Sequence, residues 1–433
     1  MQANIKSIKN SHIIYMALTC LAVITMPLGA YSINIRVDSS MHDHIQIGVF
    51  YGPTPELTTS RQFRWIKKAH VDFIQFVEDA KRQEAAASEK RNLQILDLAH
   101  KHKLSYYVGD PRVHGSDADI RSMVRAYKDH PATAGYYIQD EPGKDALDWP
   151  AKTYQTIRAL DPDRVPYVNL LPDFVYDDYD TAYVEKWINK VGHENLVFLS
   201  FDNYPFLIDG SFRTTNFYNL DVIRRAGLKY GVLTSSYLQS MGIKGHYRRP
   251  TEHELRFSAY SNLAYGMKNL VWFTYNTPVR QPVEKFTNAI IDSLGRKTDL
   301  YRPFRRLNKQ LHRIGGVLGG LNAVGVYHTG ELTGKGVEPL PPNFYWQPVN
   351  RENSLIVTDF RHPANGQRYL MIVNKSLTEE KKIEGVLNGY IRYIYRISDK
   401  NGRKKRIRTK ESRFQDRFLP GEGRIYQLDL TEE

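Results

Sequence analysis

The stretch Gly135-Tyr136-Tyr137-Ile138-Gln139-Asp140-Glu141-Pro142 decides how this chain is read. Tyr136, Tyr137 and Ile138 have the aromatic and β-branched character of a short buried strand. Pro142 ends the ladder because it has no amide hydrogen to donate. Two adjacent carboxylates, Asp140 and Glu141, are left at the strand's carboxyl end. In a barrel of eight βα units that end is the face on which chemistry is done.

Working outward, apolar strand-like runs alternate with amphipathic segments from Ile45 to about Leu318. The strand candidates are Ile45 to Tyr51, Val71 to Phe76, Leu104 to Val108, Gly135 to Ile138, Pro166 to Leu170, Leu196 to Phe201, Tyr230 to Ser235 and Leu270 to Tyr275. Helical periodicity runs through Glu89 to His102, Ala118 to Asp129, Trp149 to Leu160, Ala182 to Val191, Leu220 to Gly227 and Glu252 to Tyr265. Period-two runs alternating with period-3.6 runs predict an α/β chain, a (β/α)₈ TIM barrel over residues 31–320. A helix from Tyr301 to Ile314 is then punctuated by Gly315-Gly316 and Gly319-Gly320. Beyond it, residues 321–433 carry strands without helices, among them Ser354 to Phe360, Tyr369 to Asn374, Ile391 to Ile397 and Arg424 to Leu428. That pattern predicts a C-terminal antiparallel β-sandwich. The segment Glu338 to Pro342 reads as a rigid proline loop.

The first thirty residues read as a signal peptide: Lys6 and Lys9, an apolar run from Ile13 to Leu28, then Gly29 and Ala30 near the cleavage point. The protein is therefore expected to be secreted or periplasmic, with no stable membrane insertion after cleavage. A retained membrane helix is the competing reading of the run. Cys20 is the single cysteine. It lies in this leader, and Ala17-Leu18-Thr19-Cys20 is a poor lipidation box. The mature chain would hold no thiol, which excludes zinc fingers and cysteine nucleophiles. A net charge of +13 raises the question of an anionic partner. Nucleic acid is not expected: the basic run Lys400 to Lys410 lacks interleaved aromatics and contains Asn401-Gly402, a hairpin-turn signal.

The strand ends supply the candidate residues: Tyr51, Asp110, Asp140 with Glu141, Asn169, Asp202 with Tyr204, Ser235 with Tyr237, and Tyr275 with Asn276. No nucleophile elbow, glycine-rich phosphate loop or HExxH helix is present. His42-Asp43-His44 is a weak metal cluster ahead of the first strand, so neither metal nor cofactor is expected. Acids, aromatics and amides together fit a carbohydrate, because flat rings stack on sugar faces while carboxylates and amides take up hydroxyls. Glycoside cleavage needs one carboxyl kept protonated near neutral pH. Glu141 suits that role, with a charged Asp140 beside it raising its pKa. Asp202 is the candidate nucleophile or base, and Tyr51, Asp110, Asn169, Tyr204, Tyr237 and Tyr275 are candidate sugar-binding groups.

Asp140-Glu141-Pro142 resembles the Asn-Glu-Pro strand end of clan A glycoside hydrolases, whose glutamate is the general acid/base. Tyr127-Lys-Asp-His-Pro131, Phe201-Asp-Asn-Tyr-Pro205 and Leu263-Ala-Tyr-Gly266 leading into Leu270-Val-Trp-Phe-Thr-Tyr275 are similar to segments of secreted barrel glycosidases of β-galactosidase or agarase type. The resemblance implies a glycosidase with Glu141 as proton donor. Two departures bear on mechanism. Asp140 replaces the asparagine, and the seventh strand, Tyr230 to Ser236, ends without the clan's nucleophilic glutamate. Asp202 is one substitute; Glu252 or Glu254 is another, although Thr251-Glu-His-Glu254 reads as a helix capping box. A third is substrate assistance, because adjacent Asp-Glu pairs resemble family 20 and family 123 N-acetylhexosaminidases, in which Asp140 would orient the sugar's acetamido group. Outside hydrolysis, the readings left are a non-catalytic carbohydrate-binding protein on a degenerate barrel and a lyase for acidic glycans.

Overall fold

The computed structural model describes residues 43–75, 84–279 and 284–430. The leader with Cys20, and His42, lie outside the described residues. Eight parallel strands close on themselves in chain order: β1 (Gln46–Phe50), β2 (Phe73–Gln75), β3 (Ser105–Val108), β4 (Thr133–Asp140), β5 (Val165–Leu170), β6 (Phe198–Asp202), β7 (Leu233–Gln239) and β8 (Asn269–Phe273). Around them lie α1 (Ser60–Lys68), α2 (Ala85–Lys101), α3 (Asp117–Tyr127), α4 (Asp148–Leu160), α5 (Lys186–Val191), α6 (Thr215–Tyr230), α7 (Glu252–Ala264) and α8 (Tyr301–Leu318). The chain is thus a (β/α)₈ barrel.

The period of two sorts each strand's side chains between two cores. Ile47, Val49, Tyr106, Val108, Tyr136 and Ile138 face the helices. Phe50, Phe73, Tyr107, Tyr137, Tyr167, Phe198 and Tyr237 fill the barrel's inside. Gly48 makes room for this aromatic interior, because a Cβ there would stand 2.1 Å from the Phe73 ring. Two of the buried hydroxyls are paired within it: Tyr167 Oη lies 2.9 Å from Ser200 Oγ and 2.5 Å from Ser235 Oγ, and Tyr237 donates to Gln75 Oε1.

Several element boundaries differ from the sequence expectation, two of them through glycines. The seventh strand starts at Leu233 and runs to Gln239, because α6 continues through Tyr230 and is stopped by Gly231 in the left-handed conformation, φ 66°. Helix α8 continues through Gly315 and Gly316 to Leu318. These glycines permit close packing, since a Cβ at Gly315 would lie 2.5 Å from Ile45 Cγ1.

The C-terminal strands form two antiparallel sheets. Six strands, β9 (Asn322–Thr329), β11 (Leu355–Arg361), β12 (Arg368–Asn374), β14 (Ile391–Ile397), β15 (Lys404–Ile407) and β17 (Gly423–Leu430), make one. Three, β10 (Trp346–Pro348), β13 (Lys381–Leu387) and β16 (Arg413–Phe418), make the other. Leu355, Val357, Leu370 and Ile372 face the smaller sheet, while Ile356, Met371 and Val373 join the barrel's outer core. Thr358 Oγ1 donates to the Ala264 carbonyl at 3.0 Å and Arg256 donates to the Pro420 carbonyl at 2.7 Å, tying α7 to the sandwich. The basic run is the β14–β15 hairpin, turning at Gly402 with φ 70°. Among the described residues no helix is long and apolar enough to cross a membrane, and no group of three metal-ligating side chains is assembled.

Candidate active site

Strand β4 is bulged against β5 between Tyr137 and Gln139, and Asp140 pairs with Asn169 at its end. A bulge re-aims the side chains that follow it. Glu141 then takes φ 48°, and Tyr51 after β1 takes φ 51°. Positive φ is costly for such residues and is held only where surrounding contacts fix it. Here Glu141 N–H donates to the Asn169 carbonyl at 2.8 Å. Tyr183 donates from its hydroxyl to the Pro142 carbonyl at 2.6 Å and accepts from Leu171 N–H at 3.0 Å, clamping the ends of β4 and β5 together.

These strand ends open into a cavity of about 370 Å³, lined by Asp140, Glu141, Asn169, Asp202, Glu284 and a wall that includes Tyr51, Phe174, Tyr204, Tyr237, Tyr247 and Phe273. Tyr204 stacks on Phe273 with centroids 5.1 Å apart, and Tyr247 meets Tyr204 edge-on at 5.7 Å. Asn169 Nδ2 bridges two acids, donating to Asp140 Oδ1 at 3.3 Å and Asp202 Oδ1 at 3.2 Å. Tyr137 donates to Asp140 Oδ1 at 2.9 Å. Asp202 is buried, whereas Glu141 is open to the cavity.

The acids determine one another's protonation. Partial enclosure pushes the Glu141 carboxyl up to about 7, with the charges of Asp140 and Glu284 adding and a hydrogen bond from Asp202 opposing. Burial first, then the charges of Glu141 and Asp140, raise Asp202 well above the usual carboxylate range. Burial and its acidic neighbours thus bias Asp202 toward its protonated form, and its carboxyl is hydrogen-bonded to Glu141. The described lining includes no lysine or arginine, so the chain's positive charge is not concentrated here.

Of the residues proposed from sequence, Glu141, Asp140, Asp202, Tyr51, Asn169, Tyr204 and Tyr237 line this cavity. Asp110 and Tyr275 do not. Asp110 is buried against Arg112, which donates to both its oxygens at 3.0 and 2.8 Å, and Tyr127 donates to it at 2.6 Å. Tyr275 lies two residues beyond β8 and packs toward α8, its ring 6.2 Å from Phe304. Glu252 and Glu254 are also elsewhere: Glu254 closes the capping box with Thr251 and pairs with Arg248, and Glu252 pairs with Arg256 and Arg306. Sequence reading missed Glu284, Phe174, Tyr247 and Phe273. No local signal marks Glu284, which reaches the cavity from the segment between β8 and α8.

No family model matches the sequence, and no curated protein matches it. Solved structures do. A β-galactosidase from Bacillus circulans sp. alkalophilus superposes with TM-score 0.62 at 11% identity, covering 89% of this chain and 99% of that one. A catalytic mutant of a GH42 β-galactosidase from G. stearothermophilus gives 0.59 at 10% identity, over 89% and 98%. Against a β-galactosidase from the psychrophilic Marinomonas ef1, the chain spans 60% of that protein's length, with 64% of its own covered, 11% identity and TM-score 0.49. The structural neighbours are glycosidases, and at such identities the likeness establishes a shared fold.

Proposed function

We propose that this protein is a glycoside hydrolase in which Glu141 donates a proton to the leaving oxygen of a bound sugar. One observation carries the reading: a carboxyl raised to about 7 stands open to an aromatic-walled cavity at the catalytic end of a barrel. A general acid needs its proton near working pH, and this one can hold it. Asp202 and Asn169 position Glu141 and Asp140, while Tyr51, Tyr204 and Phe273 offer faces for sugar rings. The fold shared with β-galactosidases supports the same reading. With four lining carboxylates and no lining cation among the described residues, the site favours a neutral sugar over a uronate. Secretion after removal of residues 1–30 is part of the proposal.

Glu141→Gln keeps the side chain's shape and removes the transferable proton. It is expected to fold normally and to lose ~10²–10⁴-fold in turnover of unactivated glycans. Unchanged turnover, read by product chromatography over a panel of plant, algal and host glycans, would end the hydrolase reading. Binding without hydrolysis by the native protein would instead mark a carbohydrate-binding barrel.

A further inference from the structure

The seventh strand carries no acid at its end. The Gln239 amide there is spent on backbone carbonyls, donating to those of Phe206, Met241 and Arg248. The chain after β8 folds back over this strand end. Ile243 and Phe286 form an antiparallel bridge. Lys244 N–H donates to the Lys285 carbonyl at 3.0 Å, Thr287 N–H to the Gly242 carbonyl at 2.8 Å, and Gly242 N–H to Thr287 Oγ1 at 2.8 Å. The Phe286 ring packs 6.2 Å from Phe273. Glu284, two residues before Phe286, is thereby held on the cavity wall.

In the closed barrel β4 and β7 lie three strands apart. Glu141, at the end of β4, and Glu284, folded over the end of β7, line one cavity from separate strand ends. We infer that Glu284 is the second catalytic carboxylate, the base that activates water against the sugar's anomeric carbon. This rests on the glycosidase reading above.

The other acids are poorly placed for the task. Asp202 is buried and hydrogen-bonded to Glu141 and Asn169. Asp140 adjoins Glu141 on the same strand and is fixed by Tyr137 and Asn169. Glu284 is exposed, so water reaches it. Enclosure raises its carboxyl above the ordinary value, His246 opposes that, and Asp140 adds to it. His246 therefore favours the ionised form that a base requires.

In the step, the water oxygen bonds to the anomeric carbon and its proton passes to Glu284. The bond from that carbon to the leaving oxygen breaks, and the oxygen takes the proton of Glu141. Exchange with solvent restores both carboxyls. Acid and base on opposite sides of the sugar, with a water between, belong to inversion of configuration.

The test compares Glu284→Ala with Glu141→Gln in the full protein, on the best glycan from the panel and on the 2,4-dinitrophenyl glycoside of the same sugar. That leaving group needs little protonation. Glu141→Gln should be crippled on the glycan and much less so on the aryl glycoside. Glu284→Ala should lose ~10²–10⁴-fold on both, and azide should restore at least tenfold while yielding a glycosyl azide. Proton NMR of the wild-type reaction should show the first product inverted. Glu284→Ala activity within about threefold of wild type, with Glu141→Gln inactive on the glycan, would overturn the base and leave the hydrolase standing. Retained configuration, or no azide product, would equally overturn the base role. Indifference of both variants, or an inactive wild type across the panel, would remove the reading beneath it.

Discussion

The ends of β3 and β4 are neighbours in the barrel, and each presents an acid, yet the two acids do opposite things. Asp110 meets the Arg112 guanidinium and the Tyr127 hydroxyl, and its lone pairs are consumed in a buried ion pair. Glu141 meets other carboxylates and, among the described residues, no cation, so its carboxyl is raised to about 7 and its side chain stays open to the cavity. A strand-end position offers chemistry; the nearest charge decides whether it is used. At β3 that charge lies two residues along the chain, whereas at β4 enclosure and the adjacent Asp140 lead, with Asp202 of β6 opposing and Glu284 from the segment after β8 adding.

The strongest way to break the comparison is to remove the cation at β3. Arg112→Met leaves a buried Asp110 without its counter-charge and is expected to cost ~3–5 kcal/mol of folding stability. Urea denaturation measures this, and the double variant Asp110→Asn/Arg112→Met should recover part of the loss. A single-variant loss under about 1 kcal/mol would mean that the pair does not hold this strand end.

The contrast at β4 is sharpened by pH. Only protonated Glu141 can donate, so activity is expected to be present below pH 7 and to fall as pH rises through about 7. Asp140→Asn removes a neighbouring charge that holds the proton in place, so the descending limb should move to lower pH. A limb that stays put in the pH–rate profile would show that Asp140 does not act on Glu141.

The smallest effect belongs to the helix between the two strands. Ser116 and Asp119 form a reciprocal capping box at the start of α3, and Ser116→Ala should cost ~1 kcal/mol. The pH–rate profile should not move; a shifted limb would show that α3 feeds directly into the site.

Much of the barrel was legible because burial on two sides leaves a local imprint. Tyr136, Tyr137 and Ile138 spell out alternation within three residues, and Pro142 marks the stop. The placement of β7 was misread because Gly231 caps α6 in the left-handed conformation, a choice that apolar periodicity does not encode. Tyr275 was assigned to the site because it follows an apolar run. The strand ends at Phe273, and the side chain two residues on turns to the helical shell. Asp110 carried a local warning in Arg112, which the reading by strand end passed over.

By itself the sequence determined the alternation of strands and helices, the change to antiparallel sheets after the last barrel helix, and the acid pair before Pro142. All of these depend on neighbours a few residues apart, where backbone geometry ties side-chain spacing to direction. Only the tertiary structure decided that Asp202 lies under Glu141, that Asp110 is neutralised within the wall, and that Glu284 arrives over the end of β7. Those outcomes depend on electrostatics and pairings between segments tens of residues apart, and charges so separated become neighbours only once the barrel has closed.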